Sequence, residues 1–546
     1  MSNALRPGLQ CCGSINNVLP SPNPSGRQEE SRAKGPEEAD TLRDACGVFG
    51  IWAPGRQVSY LTYDGLYALQ HRGQESAGMA VSDGQEIMVF KEMGLVTNVF
   101  NENSLRPLVG HLAIGHTRYS TTGSSSWRNA QPVYRQTSGV GFALAHSGNL
   151  TNTESLVSSH GMLPGTVSSD SDLVVELLAQ ASARQESLRR SQAAEAGDIV
   201  GDAESTAKGE GLLEQSFMEV LPQLEGAFSF AAMDESTLIG VRDPNGFRPL
   251  CLGRIDRGWV LASESPALDV IGAHFVREID PGEMVIINGN GVRSVRPYDE
   301  SRVNPRLCIF EYVYFARPDT QLYGKEVHGS RVRMGELLAE QSPLPFSEKY
   351  FDRPAMVMGV PDSGIPAAEG YALASGLPMG LGLVKNRYIG RTFIAPSQEA
   401  RARGVRRKFN PLKENVSGKR VIVIDDSIVR GTTSRALVKM LREAGAVEVH
   451  MRISSPPFKW PCFYGIDTGS RSELLAASLE MEEMRKYLGV ESLGFLSLAN
   501  LREAIAAPGA GLCDACLTGD YPVKVPVTLS KNVLDLAAGA DTPINL

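Results

Sequence analysis

The stretch Val421-Ile422-Val423-Ile424-Asp425-Asp426-Ser427, followed by Gly431-Thr432-Thr433-Ser434, sets a carboxylate pair, a glycine turn and a run of hydroxyls in one order. Two adjacent carboxylates can accept hydrogen bonds from the vicinal hydroxyls of a ribose. The turn after them offers the hydroxyls of Ser427, Thr432 and Thr433 and the backbone N–H groups around Gly431. A helix opening at Thr433 would add the positive end of its dipole, and together these groups suit a phosphate dianion. This is the chemistry of a ribose-phosphate grip. The alternative is an α/β strand with a solvated carboxylate pair at its end and no nucleotide. On either reading, the β-branched run Val421 to Ile424 predicts a parallel strand covered on both faces, ending at the pair.

A second reactive position is Cys46. It stands in Asp44-Ala45-Cys46-Gly47-Val48-Phe49-Gly50-Ile51-Trp52, where a Ser-, Pro- and charge-rich segment gives way to strand-like sequence. A cysteine that becomes an N-terminus carries its own α-amino group. With a pKa of ~7.7–8.0, that amine can act as base toward the thiol near neutral pH without a histidine. The alternative is a small buried residue that begins a strand.

These positions must be held by more than one core. A chain of 546 residues predicts two domains, each of about 200 to 250 residues. The net charge of −8 supplies no basic field, and no stretch is apolar over the length a bilayer needs. Neither nucleic acid nor membrane is therefore an expected partner, and the expected location is cytoplasmic. Eight cysteines scattered over a long chain point to catalytic or metal-binding use rather than a disulfide framework. Residues 1–45 have no apolar signal core and carry acidic residues, so they read as a disordered leader. Residues 46–300 read as one domain, and residues 301–525, where strands alternate with helices, as another, with 526–546 as a tail. Within the first, residues 185–212 show little apolar periodicity and read as a mobile surface insertion.

The second domain carries Cys308, Cys462, Cys513 and Cys516. Thiolate-only ligation suits structural zinc or an iron–sulfur cluster, and the spacing does not choose between them. Cys251 reads as an ordinary buried thiol. Lys385 opens a basic stretch that runs through Arg391, Arg401, Arg403, Arg406, Arg407 and Lys408. It is either a solvated loop or a lid whose cations meet a diphosphate.

Four segments, Gln70-His71-Arg72-Gly73-Gln74, Gly115-His116-Thr117-Arg118-Tyr119, Ala145-His146-Ser147-Gly148-Asn149 and Ser168-Ser169-Asp170, resemble the glutamine-binding motifs of N-terminal-nucleophile amidotransferases. The resemblance implies Cys46 as nucleophile, Arg118 on the glutamine carboxylate, Asp170 on its amino group and the Gly148 amide in the oxyanion hole. Ser147 stands where that family usually carries an asparagine whose side-chain amide is the second oxyanion donor, so weakened glutamine turnover is expected. The Asp425-Asp426 stretch resembles the phosphoribosyl diphosphate (PRPP) loop of type I phosphoribosyltransferases, and Val360-Pro361-Asp362-Ser363-Gly364-Ile365 resembles their pyrophosphate loop. This implies PRPP contacts from Asp362, Ser363, Gly364, Lys385, Asp425, Asp426, Ser427, Gly431, Thr432 and Thr433, with magnesium at Ser363, Asp425 and Asp426.

With both motif sets in one chain, the sequence resembles the iron–sulfur subclass of the amidophosphoribosyltransferases. That resemblance implies an αββα N-terminal-nucleophile hydrolase sandwich followed by an α/β type I phosphoribosyltransferase domain. It also implies a [4Fe–4S] cluster on Cys308, Cys462, Cys513 and Cys516, and glutamine-dependent amination of PRPP to 5-phosphoribosylamine, the first committed step of purine synthesis. Purine nucleotides as feedback inhibitors and a homotetramer are further implications. Two rival readings fit less of the chain. A binding-only regulator has no use for Cys46, Arg118 and Asp170, and an amidotransferase acting on another sugar phosphate has none for the Asp425-Asp426 loop.

Overall fold

The computed structural model describes residues 46–525 apart from 120–125, 138–139, 164, 196–210, 387–405, 469 and 508–510. The expected leader and tail, and the lid residues Arg391, Arg401 and Arg403, lie outside the described residues.

The first half is a sandwich of two antiparallel sheets. One has the strand order His274–Glu278, Cys251–Ile255, Gly258–Ala262, Gly47–Trp52, Leu112–Arg118, Ser76–Ser82, Ile87–Met93. The other runs Gly291–Val295, Met284–Asn288, Leu238–Arg242, Gly226–Met233, Val140–Leu150, Val133–Thr137. Small and aliphatic residues fill the space between them, among them Val48, Ala80, Ile114, Ala143, Ala145, Ala231 and Val285. The outer face of the first sheet is covered by helices Val58–Ala68 and Pro266–Val270, and that of the second by helices Asp170–Glu195 and Leu212–Val220. Two outward faces and one shared inner face account for the alternating apolar pattern of the strands. This is the expected αββα sandwich.

One boundary moves. Residues 185–195, read from sequence as the start of an insertion, continue the helix Asp170–Glu195. The buried apolar residues of that helix end at Ala181, and Leu188 beyond them is exposed. The helix is tied there to its neighbour by Arg184 Nη2 to Glu219 Oε1 at 2.6 Å and Gln185 Nε2 to Glu219 Oε2 at 3.2 Å. The rest of the expected insertion, 196–210, lies outside the described residues.

The second half is built on four parallel strands in the order Ala355–Gly359, Arg420–Asp425, Glu448–Ile453, Ser492–Phe495. Val421 and Val423 face a core shared with helices Thr432–Glu443 and Met481–Leu488, while Ile422 and Ile424 face one shared with helices Val327–Gln341 and Ile365–Ser375. Burial on both sides is why the run is continuously β-branched. The helix after it begins at Thr432, one residue earlier than expected, because Gly431 takes the left-handed turn at φ 77°. Leu383–Lys385 and Phe409–Pro411 pair as an antiparallel ribbon, closed by Asn386 N–H donating to Lys408 O at 2.8 Å. The two ends of the basic stretch thus meet.

The halves are joined by a buried ionic network. Arg72, fully buried, donates to Glu264 and, from Nη2 at 2.6 Å, to Glu311 Oε2. Glu311 also receives Arg248 Nη1 at 3.2 Å, and Glu264 receives the Arg317 N–H at 2.9 Å. Burial pushes the Glu264 carboxyl up, but Arg72 and His71 outweigh it and hold it well below the ordinary carboxylate range. A carboxylate depressed on folding stabilises the fold above its unfolded pKa of about 4.3, and that contribution is lost as the pH falls below it. Arg72→Met leaves two carboxylates buried without their main partner. It is expected to cost about 3–5 kcal/mol in urea unfolding at pH 7, with a smaller difference from wild type at pH 4. A loss below about 1 kcal/mol at pH 7 would show the network to be energetically idle.

Candidate active sites

Strand Gly47–Trp52 pairs with Leu112–Arg118 so that Gly47 lies opposite Thr117, which sets Cys46 beside the end of the Arg118 strand. Its Sγ donates to Tyr119 O at 3.2 Å and accepts from Tyr119 N–H at 3.3 Å. Burial pushes the thiol up to about 11, against the Tyr119 hydrogen bond and the Arg118 charge, while Glu75 and Asp170 raise it further. Arg118, Glu75 and Asp170 therefore all act on the thiol. Arg118 Nη1 lies 3.7 Å from Glu75 Oε2. Asp170 opens its helix, accepts from Ser171 N–H at 2.8 Å and takes the Leu150 N–H at 3.3 Å. A guanidinium and a carboxylate flanking a thiol suit a ligand that presents one anion and one cation, as a free amino acid does.

Gly148 belongs to the same corner, two residues before Leu150. Its φ is 142°, and a Cβ there would come within 2.1 Å of Ala227 O, so no side chain is tolerated. Ser147 continues the inner face marked by Ala143 and Ala145; its hydroxyl is buried and has no hydrogen-bond partner among the described residues. The ring nitrogens of His116 and His146 bond to groups other than Cys46. Burial depresses His116 to about 3 and lowers His146, and they bond to His146 O and to Ser171 Oγ respectively. The structure brings Cys46, Arg118 and Asp170 together, with Gly148 on the strand whose Leu150 N–H meets Asp170. Tyr119 and Glu75 were not foreseen as contacts, although both stand inside or beside the motifs that named their neighbours.

The second site lies at the C-terminal ends of the parallel strands, where open α/β sheets bind ligands. Asp426 Oδ2 accepts from Ser363 Oγ and its Oδ1 from Ser427 Oγ, both at 2.5 Å, while Asp425 Oδ1 takes the Asp426 N–H at 3.0 Å. Gly364 lets the two loops touch, since a Cβ there would lie 2.5 Å from Ile424 O. Lys385 Nζ reaches Asp362 Oδ2 at 2.6 Å. Burial raises the Asp426 carboxyl, while Ser363, Ser427 and Arg331 pull it back. Arg331 was invisible in the sequence. It comes from helix Val327–Gln341, its Nε and Nη2 donate to Tyr312 O and Ala316 O, and its charge acts on Asp426 from behind. Gly431, Thr432 and Thr433 form the start of the helix that follows.

Cys308, Cys462, Cys513 and Cys516 line one cavity with Arg248 and Tyr464. Residues Leu307–Cys308 and Leu512–Cys513 pair as parallel strands, which brings distant segments together. Among the described residues no group of His, Cys, Asp or Glu converges on a single metal ion. Cys251 is buried elsewhere, its Sγ donating to Ala262 O at 3.3 Å. The loop around Cys462 rests on the first site: Asn149 Nδ2 donates to Phe463 O at 3.0 Å, and a Cβ on Gly465 would lie 3.2 Å from Gly148 Cα.

Fold and sites define a two-headed transferase, a glutamine amidotransferase half joined to a phosphoribosyltransferase half. The family profile described as a glutamine amidotransferase domain matches residues 116–270, and the phosphoribosyl transferase domain profile matches 345–454. The amidophosphoribosyltransferase of Mycobacterium tuberculosis is 49% identical over 524 residues, covering 93% of this chain and 92% of that protein. That of Bacillus subtilis is 43% identical over 496 residues, covering 89% and 96%. A solved structure of glutamine PRPP amidotransferase from B. subtilis, complexed with ADP and GMP, superposes with a TM-score of 0.75 at 42% identity, covering 88% of this chain and 98% of that one. Another, described as the allosteric regulatory enzyme of purine biosynthesis, gives 0.76 at 42% identity, covering 90% and 98%. The chain belongs to the amidophosphoribosyltransferase family.

Proposed function

We propose that this enzyme converts glutamine and PRPP to glutamate, pyrophosphate and 5-phosphoribosylamine, the first committed step of purine synthesis, in the cytoplasm. The observation that carries the reading is the presence in one chain of a thiol flanked by Arg118 and Asp170 and of a serine-bridged Asp426 at the mouth of a parallel sheet. Release of residues 1–45 would free the Cys46 amine to take the thiol proton. The thiolate then attacks the glutamine amide carbon, the Gly148 N–H and the Ser147 hydroxyl meet the oxyanion, and ammonia leaves the resulting thioester to be hydrolysed by water. At the second site ammonia displaces pyrophosphate at the ribose C1. Asp425 and Asp426 hold the ribose hydroxyls, Ser427 and Gly431 to Thr433 hold the 5-phosphate, and Asp362 to Gly364 with Lys385 face the diphosphate. No protein nucleophile is needed there.

Two carboxylates and a hydroxyl suit magnesium, which keeps water and substrate oxygens in its shell, so Ser363, Asp425 and Asp426 would hold it. When bound it would neutralise diphosphate charge. The four thiols line one cavity, and thiolate-only ligation of that kind fits a [4Fe–4S] cluster. Bound there, a cluster would cross-link three segments of chain. The ADP and GMP in the B. subtilis structure support purine nucleotides as feedback inhibitors, and a homotetramer is the proposed assembly.

Incubation with glutamine and PRPP, separately and together, tests the reaction through glutamate and pyrophosphate. Pyrophosphate that appears without stoichiometric glutamate, or glutamate alone under all conditions, would overturn it. Ser147→Asn tests the oxyanion hole. A hydroxyl offers a single donor on a short side chain, and one oxyanion donor is worth ~10²–10³ in rate. The ratio of glutamine-dependent to ammonia-dependent activity is expected to be low in the wild type and to rise in Ser147→Asn by up to about 10²–10³-fold, the worth of one such donor. An unchanged ratio would mean that the serine is already sufficient.

A further inference from the structure

The guanidinium of Arg248 enters the four-cysteine cavity from the glutaminase half, and its bonding is incomplete. Arg248 follows the turn Asp243-Pro244-Asn245-Gly246, which Asp243 fixes by accepting from the Phe228, Asn245 and Phe247 N–H groups. The side chain is 1% exposed. Nε donates to Tyr464 O and Nη1 to Glu311 Oε1, each at 3.2 Å, and Cζ lies 5.6 Å from the Phe315 ring centre, yet Nη2 is buried and has no hydrogen-bond partner among the described residues. A buried donor without an acceptor costs about 1–3 kcal/mol, more when charged, so an acceptor belongs at this position. The cavity narrows the choice. Phe247, Ile466 and Ala515 have no polar side-chain atoms, and the Tyr464 and Tyr521 hydroxyls are tied to Val523 O and Pro461 O, both at 2.6 Å. Among the side chains that line the cavity, the four cysteine sulfurs remain. The ligand loop is also shaped around this group: at Gly465, with φ 106°, a Cβ would sit 3.1 Å from Nη2.

We propose that Arg248 is the charge partner and hydrogen-bond donor of the thiolate-bound cluster, through Nη2, and that it raises the cluster's reduction potential. The inference rests on the reading of Cys308, Cys462, Cys513 and Cys516 as [4Fe–4S] ligands. Reduction adds an electron to a group that four thiolates already make anionic. A guanidinium beside it, donating to sulfur, stabilises the added charge. Glu311 acts in the opposite sense, because it is a fully buried carboxylate three residues from Cys308 and shares Arg248. Arg248 is a positioning residue here, since it touches neither substrate.

The test uses the full-length chain purified without oxygen, with iron and sulfide analysed first. Poised electrochemical reduction is then followed by electron paramagnetic resonance. Arg248→Met should lower the reduced-to-oxidised ratio at fixed potential at least tenfold, about 59 mV for one electron, at unchanged iron content. Arg248→Lys should fall between Met and wild type, and Glu311→Gln should shift the other way. Equal potentials in wild type and Arg248→Met at equal iron would overturn the role of Arg248 and leave the cluster standing. A wild type without iron would overturn the cluster and the inference with it. If Arg248→Met does not fold, Glu311→Gln decides: an unchanged or lower potential there would sink the proposal.

Discussion

Asp426→Asn is expected to reduce pyrophosphate release by about 10²-fold or more with either glutamine or ammonia as nitrogen source, as the loss of charge-assisted hydrogen bonds of ~1.5–3 kcal/mol each predicts. The carboxylate is buried, accepts two serine hydroxyls at 2.5 Å, and has Arg331 behind it. An amide keeps the shape and presents one acceptor in place of two. It also loses the charge that a magnesium-bearing substrate and Arg331 both require. Basal glutamine hydrolysis without PRPP should change less than about twofold, because Cys46, Arg118 and Asp170 belong to the other half and keep their contacts. Asp425→Asn gives the same split if the pair works as a unit. Equal loss of both activities in a folded variant would mean that the carboxylates serve the whole fold rather than the phosphoribosyl site.

Cys46→Ala should do the reverse. Glutamine-dependent product is expected to fall by about 10⁴-fold or more, the scale seen when a covalent nucleophile is removed, while ammonia-dependent product persists. The thiol, raised by burial to about 11, is protonated at neutral pH and needs a base, and its partners are backbone groups of Tyr119. With the α-amine in that role, glutamine-dependent kcat/KM should fall as the pH drops below ~7.7–8.0, where the amine becomes protonated. Intact-mass measurement of active enzyme should show a chain that starts at Cys46. An active enzyme that keeps residues 1–45, or a rate that is flat from pH 6 to 9, would remove the amine from the mechanism.

What could be seen in the sequence was whatever is local. The strand Arg420–Asp425, its carboxylates and the Gly431 turn are consecutive, so one short stretch carries both the shape and the chemistry. Cys46, Arg118, Gly148 and Asp170 were legible for the same reason, each inside its own short motif. The ionic network was not. Arg72 meets partners 192 and 239 residues away, and nothing near Glu264 or Glu311 in sequence says that a charge will be buried there. Arg331 and Arg248 were hidden in the same way, as ordinary basic residues until the fold surrounds them. The helix through 185–195 was misjudged because periodicity reports burial rather than helicity, and the buried apolar residues of that helix end at Ala181.

The loop that carries Cys462 lies across the glutaminase corner, with Phe463 O held by Asn149 and Gly465 pressed on Gly148. Two activities that the chain writes one after the other are therefore not two detachable modules. A gene cut near residue 300 would encode an amidotransferase half in which Gly148 and Asn149 have lost the Phe463–Gly465 segment and Arg72 and Arg248 have lost Glu311. For an engineer, the unit of transplantation is the whole protein. For a genome, exchanging one half between relatives leaves these cross-seam contacts to be matched by the other half.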